Sequence, residues 1–203
     1  MVFSLKEEYA PVPGCTVSGE VMAGVVCFSM ARGTDISPEI YPDQKLYLTL
    51  DGGVQITGRT LRAGDCLVTA AKIPVGARAD ENTVFTEITL RRNTTMNEAI
   101  KAGEVFRLAE LVPYQTGKIV NMDVCHNDTM KLAVMAFDAG TGLSEHAAPG
   151  DALIFALDGE AVIGYEGGEY PIRAGENFRF AKGGLHSVKA DKRFKMALML
   201  VLK

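Results

Sequence analysis

GTGLSEHAAPGDALIFALDG, residues Gly140 to Gly159, is the second copy of GTDISPEIYPDQKLYLTLDG, Gly33 to Gly52; at a constant offset of 107, eight of the twenty positions are identical. A second pair of stretches repeats in the same order. LRAGDCLVTAAKIPVGARAD, Leu61 to Asp80, matches IRAGENFRFAKGGLHSVKAD, Ile172 to Asp191, at an offset of 111 with six identities. The offset grows by four, which a longer turn around Tyr165 to Gly168 in the second copy would supply. Chance gives about one or two matches in twenty, so the chain carries an internal duplication that divides it near its middle. The expected organisation is a first unit over residues 1–92, a linker over 93–117 and a second unit over 118–203.

The texture of both copies is β. Short apolar runs such as KLYLTL, TVFTEITL, KLAVMAF, ALIFAL and KMALMLVL alternate with Gly, Asp, Asn and Pro turns. Their spacing fits antiparallel sandwiches or barrels rather than parallel βαβ units. Gly52 and Gly159 each follow Leu-Asp where a strand turns back, and Gly64 and Gly175 each follow Arg-Ala in the same kind of turn. In ALIFAL and KMALMLVL both strand faces are apolar and both must be covered; Met130, Met135, Met196 and Met199 read as core filler there. In the linker, Thr95 followed by Glu98 makes a capping box and Gly103 a stop signal, so one short connecting helix is expected.

Composition sets the bounds on partners. Lys plus Arg number 21 against 25 Asp plus Glu, a net charge of −4, which offers no positive field for a phosphate backbone and argues against nucleic acid. No stretch approaches the ~18 consecutive apolar residues of a membrane span, and the start MVFSLKEEYAPVPG has no signal-peptide core, so a cytoplasmic protein is expected. Cys15, Cys27, Cys66 and Cys125 are scattered without a C-x2-C pair and read as reduced, mostly buried thiols.

At this resolution the chain resembles the cupin superfamily. The first cupin motif, G-x5-H-x-H-x3-E-x6-G, falls on Gly140, His146, Ala148, Ala152 and Gly159 with every spacing kept. The second, G-x5-P-x-G-x2-H-x3-N, falls on Gly175, Ala181, Gly183, His186 and Ala190. In the first copy the same places hold Glu39, Tyr41 and Lys45, then Val75, and no histidine remains. The resemblance implies an all-β fold of two tandem cupin barrels, of double-stranded β-helix or jelly-roll type. It also implies a metal site of three imidazoles and one carboxylate, of which this chain keeps two.

His146 and His186 are thus the candidate ligands of a loosely held Mn, Fe, Ni or Zn ion, and with Ser144 the candidate small-molecule contacts. Three readings stay open for the pair: relics bonded to each other or to water, a weak metal site, or a metal-free role as base or hydrogen-bond partner. Asp151 lies one residue short of the motif's acid place, and strand alternation turns it to the other face unless Pro149-Gly150 forms a bulge. His126 lies about 30 Å along the strand direction from His146 and reads as a surface-turn residue. Ser144 and Ser187 sit near the histidines, but no G-x-S-x-G elbow supports nucleophilic catalysis.

In the first copy, Glu39, Tyr41 and Lys45 suggest either a pocket for a polar metabolite or an eroded barrel mouth with a solvated Glu39–Lys45 pair capped by Tyr41. The functional expectation is a protein binding a small molecule in its C-terminal barrel. The alternatives are a metal-dependent oxygenase, isomerase or decarboxylase acting on an oxygen-rich metabolite, and a non-catalytic scaffold or sensor. Exposed β-edges make a homodimer the expected assembly.

Overall fold

The computed structural model describes residues 1–202. Its first half runs β1 (Val2–Phe3), α1 (Leu5–Glu8), β2 (Thr16–Met22), β3 (Val25–Met30), β4 (Asp35–Ile40), β5 (Gln44–Asp51), β6 (Gly53–Ile56), β7 (Arg59–Arg62), β8 (Asp65–Thr69), β9 (Pro74–Ala79) and β10 (Thr83–Leu90). β11 (Thr95–Met96), β12 (Val105–Arg107) and a 3-10 turn at Leu108–Glu110 follow. The second half runs β13 (Ile119–His126), β14 (Met130–Phe137), β15 (Thr141–Ala147), β16 (Asp151–Tyr165), β17 (Gly168–Arg173), β18 (Asn177–Phe180), β19 (Leu185–Ala190) and β20 (Phe194–Val201). Every strand pairing is antiparallel. The all-β texture read from the short apolar runs, and the jelly-roll type implied by the resemblance, are what the chain adopts.

The chain folds as two compact units. The N-terminal unit, Leu5–Thr94 with Glu98–Arg107, has a six-stranded sheet in the order β12-β8-β5-β10-β3-β2 and a four-stranded sheet in the order β4-β9-β6-β7. Its core includes Met30, Tyr47, Ile56, Leu61, Leu67 and Phe85. The C-terminal unit, Met1–Ser4 with Thr95–Asn97 and Leu108–Lys203, orders its strands β1-β18-β16-β20-β14-β13-β11, with β15, β17 and β19 joined through β16. Phe137, Ile154, Phe178, Phe180 and Phe194 fill its core.

The duplication seen in the sequence reappears in strand register. β4 pairs β9 with Glu39 opposite Val75 after an irregularity between Ile36 and Glu39; β15 pairs β19 with His146 opposite His186 after one between Leu143 and His146. Against β10, the register of β5 skips Leu50 between Thr49 and Asp51, and against β20 that of β16 skips Leu157 between Ala156 and Asp158. The turn bonds repeat as well: Gly64 N–H donates to Thr49 O at 2.8 Å and Gly175 N–H to Ala156 O at 2.9 Å. Gly52 and Gly159 take φ of 67° and 71°, and a Cβ at either would collide with a backbone carbonyl, of Asn82 or of Arg193. Only glycine satisfies both demands.

Two expectations are corrected. The capping box does not start a helix: Thr95 and Met96 pair with His126 and Cys125, and Asn97 N–H donates to Val124 O. Backbone groups that a helix would have satisfied internally are taken by a neighbouring strand, which outweighs a local propensity signal. Within 93–117 the only helical turn is Leu108–Glu110. The four extra residues of the second copy also do not lengthen a turn. Both hairpins turn on two residues of positive φ, Thr57-Gly58 and Glu166-Gly167, as a tight primed turn requires. The arms grow instead, from four pairs in β6–β7 to six in β16–β17.

Cys27, Cys66 and Cys125 are buried, Cys15 is exposed, and none of the four is in a disulfide. Burial pushes the thiols of Cys27 and Cys125 up to about 12, so they stay protonated and inert. Among the described residues no helix is long and apolar enough to cross a membrane.

Candidate functional site

His146 and His186 are brought together by the β15–β19 register, with ring centroids 4.1 Å apart and planes inclined at 51°. His186 is 6% exposed and also packs on Phe180, ring centroids 4.3 Å apart, whereas His146 is exposed. Each imidazole has its Nδ1 near a backbone carbonyl two residues earlier: Ser144 O at 2.8 Å for His146 and Gly184 O at 3.3 Å for His186. A carbonyl can only accept, so in both rings Nδ1 carries the proton and donates it. In the neutral rings Nε2 then holds the lone pair. Burial lowers the pKa of His186; the Gly184 bond opposes this, and the neighbouring His146 adds to the lowering. His186 is therefore neutral at pH 7.

Ser144 takes part through its backbone. Its carbonyl accepts from His146 Nδ1, and the residue sits in the irregular step of β15 between Leu143 and His146. Asp151 is exposed and its Oδ1 accepts the Lys182 N–H at 2.9 Å, so it closes a turn rather than facing the histidines. His126 is an exposed residue of β13 opposite Thr95 and Lys131.

The donor set does not fit an ion with three imidazoles and a carboxylate. Ala148 and Ala152 occupy the other two places; they face inward, 3% and 1% exposed, and contribute methyl groups to the core. Among the described residues no group of three or more His, Cys, Asp or Glu side chains is placed to hold a metal. Two imidazole nitrogens are what remains.

The N-terminal unit holds a polar cluster that sequence reading placed incorrectly. Lys45 does not pair with Glu39 in solvent. Its Nζ lies 2.7 Å from Glu87 Oε1 and donates to Thr89 Oγ1 at 2.9 Å, and Lys45 and Glu87 are each 8% exposed. Tyr47 OH donates to Glu87 Oε2 at 2.8 Å, and Lys45 Nζ sits 4.6 Å from the centre of the Tyr41 ring. Tyr41 OH donates to the exposed Glu39 at 3.2 Å. Burial and the charges of Glu87 and Glu39 push the Tyr41 phenol up to about 12, and Tyr47 is raised by the same burial and by Glu87. Glu87 was missed because it lies on β10, outside both repeated blocks, 42 residues from its partner. The one available signal was an acid inside the apolar run TVFTEITL.

Residues 133–202 match the family described as the cupin domain. No curated protein matches the chain. Among solved structures, a cupin 2 conserved barrel domain protein from Leptotrichia buccalis is 27% identical with a TM-score of 0.85, over 99% of this chain and 96% of that one. A conserved protein of unknown function from Streptococcus pyogenes is 23% identical with a TM-score of 0.51, over 54% of this chain and 96% of that one. Salicylate 1,2-dioxygenase from Pseudaminobacter salicylatoxidans is 10% identical with a TM-score of 0.68, over 99% of this chain and 84% of that one, a likeness of fold alone. Residues 133–202 therefore carry the sequence signature of the cupin domain, within a fold shared with proteins of the cupin-barrel type.

Proposed function

We propose that the chain is a tandem pair of cupin barrels whose C-terminal unit binds a small oxygen-rich molecule through Nε2 of His146 and His186. The observation that carries this reading is the contact of both Nδ1 atoms with backbone carbonyls, which leaves Nε2 as the nitrogen not engaged in that contact in each of two rings whose centroids lie 4.1 Å apart. Nε2 of a ring whose single proton sits on Nδ1 accepts a hydrogen bond, so the matching ligand donates hydroxyl protons, as a polyol or hydroxy acid does. Phe180 fixes the plane of His186, which keeps the acceptor pair ordered. The tandem reading is supported by the recurrence of the same register irregularities and turn bonds in both units.

A second reading is favoured by the same Nδ1 contacts. Metal-bound histidines commonly donate their other N–H to a carbonyl, and a divalent ion on two Nε2 atoms could be completed by oxygens of the bound molecule. The alanines at the remaining donor places leave the oxygenase, isomerase and decarboxylase alternatives without their acid, and no catalytic step is assigned.

The test uses untagged protein and a His146→Ala/His186→Ala double variant. In EDTA, titration with a panel of hydroxy acids and sugars should shift the imidazole Nε2 resonances in at least one case, and the double variant should not bind that compound. If no compound moves them, the direct-binding reading fails. Uptake of Mn, Fe, Ni or Zn that the double variant abolishes would install the second reading, and metal retained by the double variant would move the site elsewhere.

A further inference from the structure

The interior of the N-terminal unit contains a buried charge pair that its fold does not need. The repeat offsets place Tyr41, Lys45, Tyr47, Glu87 and Thr89 at the positions of Ala148, Ala152, Ile154, Leu198 and Leu200 in the C-terminal unit. There all five places hold apolar side chains. A buried ion pair is a weak source of stability, since the desolvation of two charges offsets most of their attraction. Stability therefore does not account for the Lys45–Glu87 pair, its two tyrosines and its threonine.

Beside the pair lies a cavity of about 30 Å³, walled by Phe28, Tyr41, Tyr47, Val75, Phe85 and Glu87 among others. Phe28 and Phe85 stack on each other with ring centroids 5.2 Å apart and planes within 8°, and both line the cavity together with Glu87. The volume suits one small polar group, about the share of one water in the liquid. Tyr41, half-buried, and Glu39, exposed, mark the side that leads to solvent. Polar donors and acceptors set in an aromatic wall are the usual composition of a small-molecule site.

We infer that the N-terminal unit holds a metal-independent binding site, in which Lys45, Glu87, Tyr47 and Tyr41 receive the polar head of a small, neutral, planar molecule. Neutrality follows from the charges present. The ammonium and the carboxylate cancel, so a charged head would leave one uncompensated charge in a desolvated site, whereas a neutral head leaves none. The head must both donate, to the remaining lone pairs of Glu87, and accept, from a tyrosine hydroxyl or the ammonium; a phenol hydroxyl or an amide does both. The planar body, too large for a cavity of that volume, would lie at its open side, toward Tyr41. This inference is independent of the His146–His186 reading, which concerns the other unit.

The test follows the methyl resonances of Ile56 and Val75 in the full chain during titration with phenol and benzamide, with benzoate and benzylammonium as charged counterparts. The neutral probes should bind with dissociation constants of about 10 mM or tighter, within reach of such small molecules. The charged probes should bind at least about tenfold more weakly. A Lys45→Met/Glu87→Met variant, which keeps volume and removes both charges, should fold and lose at least about tenfold in phenol affinity. The inference is overturned if the neutral probes leave the methyls unmoved, if charged probes bind equally well, or if the folded double variant binds phenol as tightly as wild type, which would mark simple apolar filling.

Discussion

Replacing Lys45 by Met tests whether the N-terminal unit contains a coupled, desolvated pair. At 2.7 Å and an effective dielectric of about 20, the attraction is on the order of 6 kcal/mol, and removing two charges from water costs several kcal/mol each. The intact pair therefore nets close to zero, while either half alone carries its desolvation cost uncompensated. With side chains only 11% exposed, solvent cannot make up the loss. Lys45→Met and Glu87→Met should each destabilise by about 3–5 kcal/mol, and the double variant should return to within about 1 kcal/mol of wild type. The chain has no tryptophan, so urea unfolding at pH 7 is best followed by far-UV circular dichroism. Single variants within about 1 kcal/mol of wild type, or a double variant losing the sum of the two, would refute the reasoning.

Further outcomes are expected in the C-terminal unit. Gly159→Ala meets both a positive φ of 71° and the Arg193 carbonyl and should cost about 3 kcal/mol or more. Gly183→Ala, at φ 82° with nothing within 4 Å of the new Cβ, should cost only about 1 kcal/mol; equal losses in denaturant midpoint would contradict the collision. The folded pKa of His186 lies below the 6.5 of an ordinary imidazole, so an unfolded chain binds the proton more readily. Stability should hold above pH 6.5 and fall as pH drops from there through the lower folded pKa. His186→Gln should flatten that part of the profile, and an unchanged slope between pH 7.5 and 5.5 would remove burial of the imidazole as its cause.

Much of this protein is written in short-range patterns. The glycines after Leu-Asp and after Arg-Ala, the apolar runs and the two repeated blocks act over a few residues, so the sequence by itself determined the antiparallel β fold and its internal repeat. The cupin motifs singled out His146 and His186, and the β15–β19 register sets the two opposite each other. The Thr95-Glu98 capping box misled because a helix start is a local preference, whereas the partners that Thr95 and Met96 find on β13 lie about thirty residues downstream. Only the tertiary structure decided where Lys45 points. Glu39 is six residues away and looked like its partner, yet the irregular step in β4 leaves Glu39 exposed, and the β5–β10 register sets Glu87 beside Lys45 across 42 residues of chain. Which charges meet inside a β fold is fixed by register between distant strands, and no pattern along one strand records it.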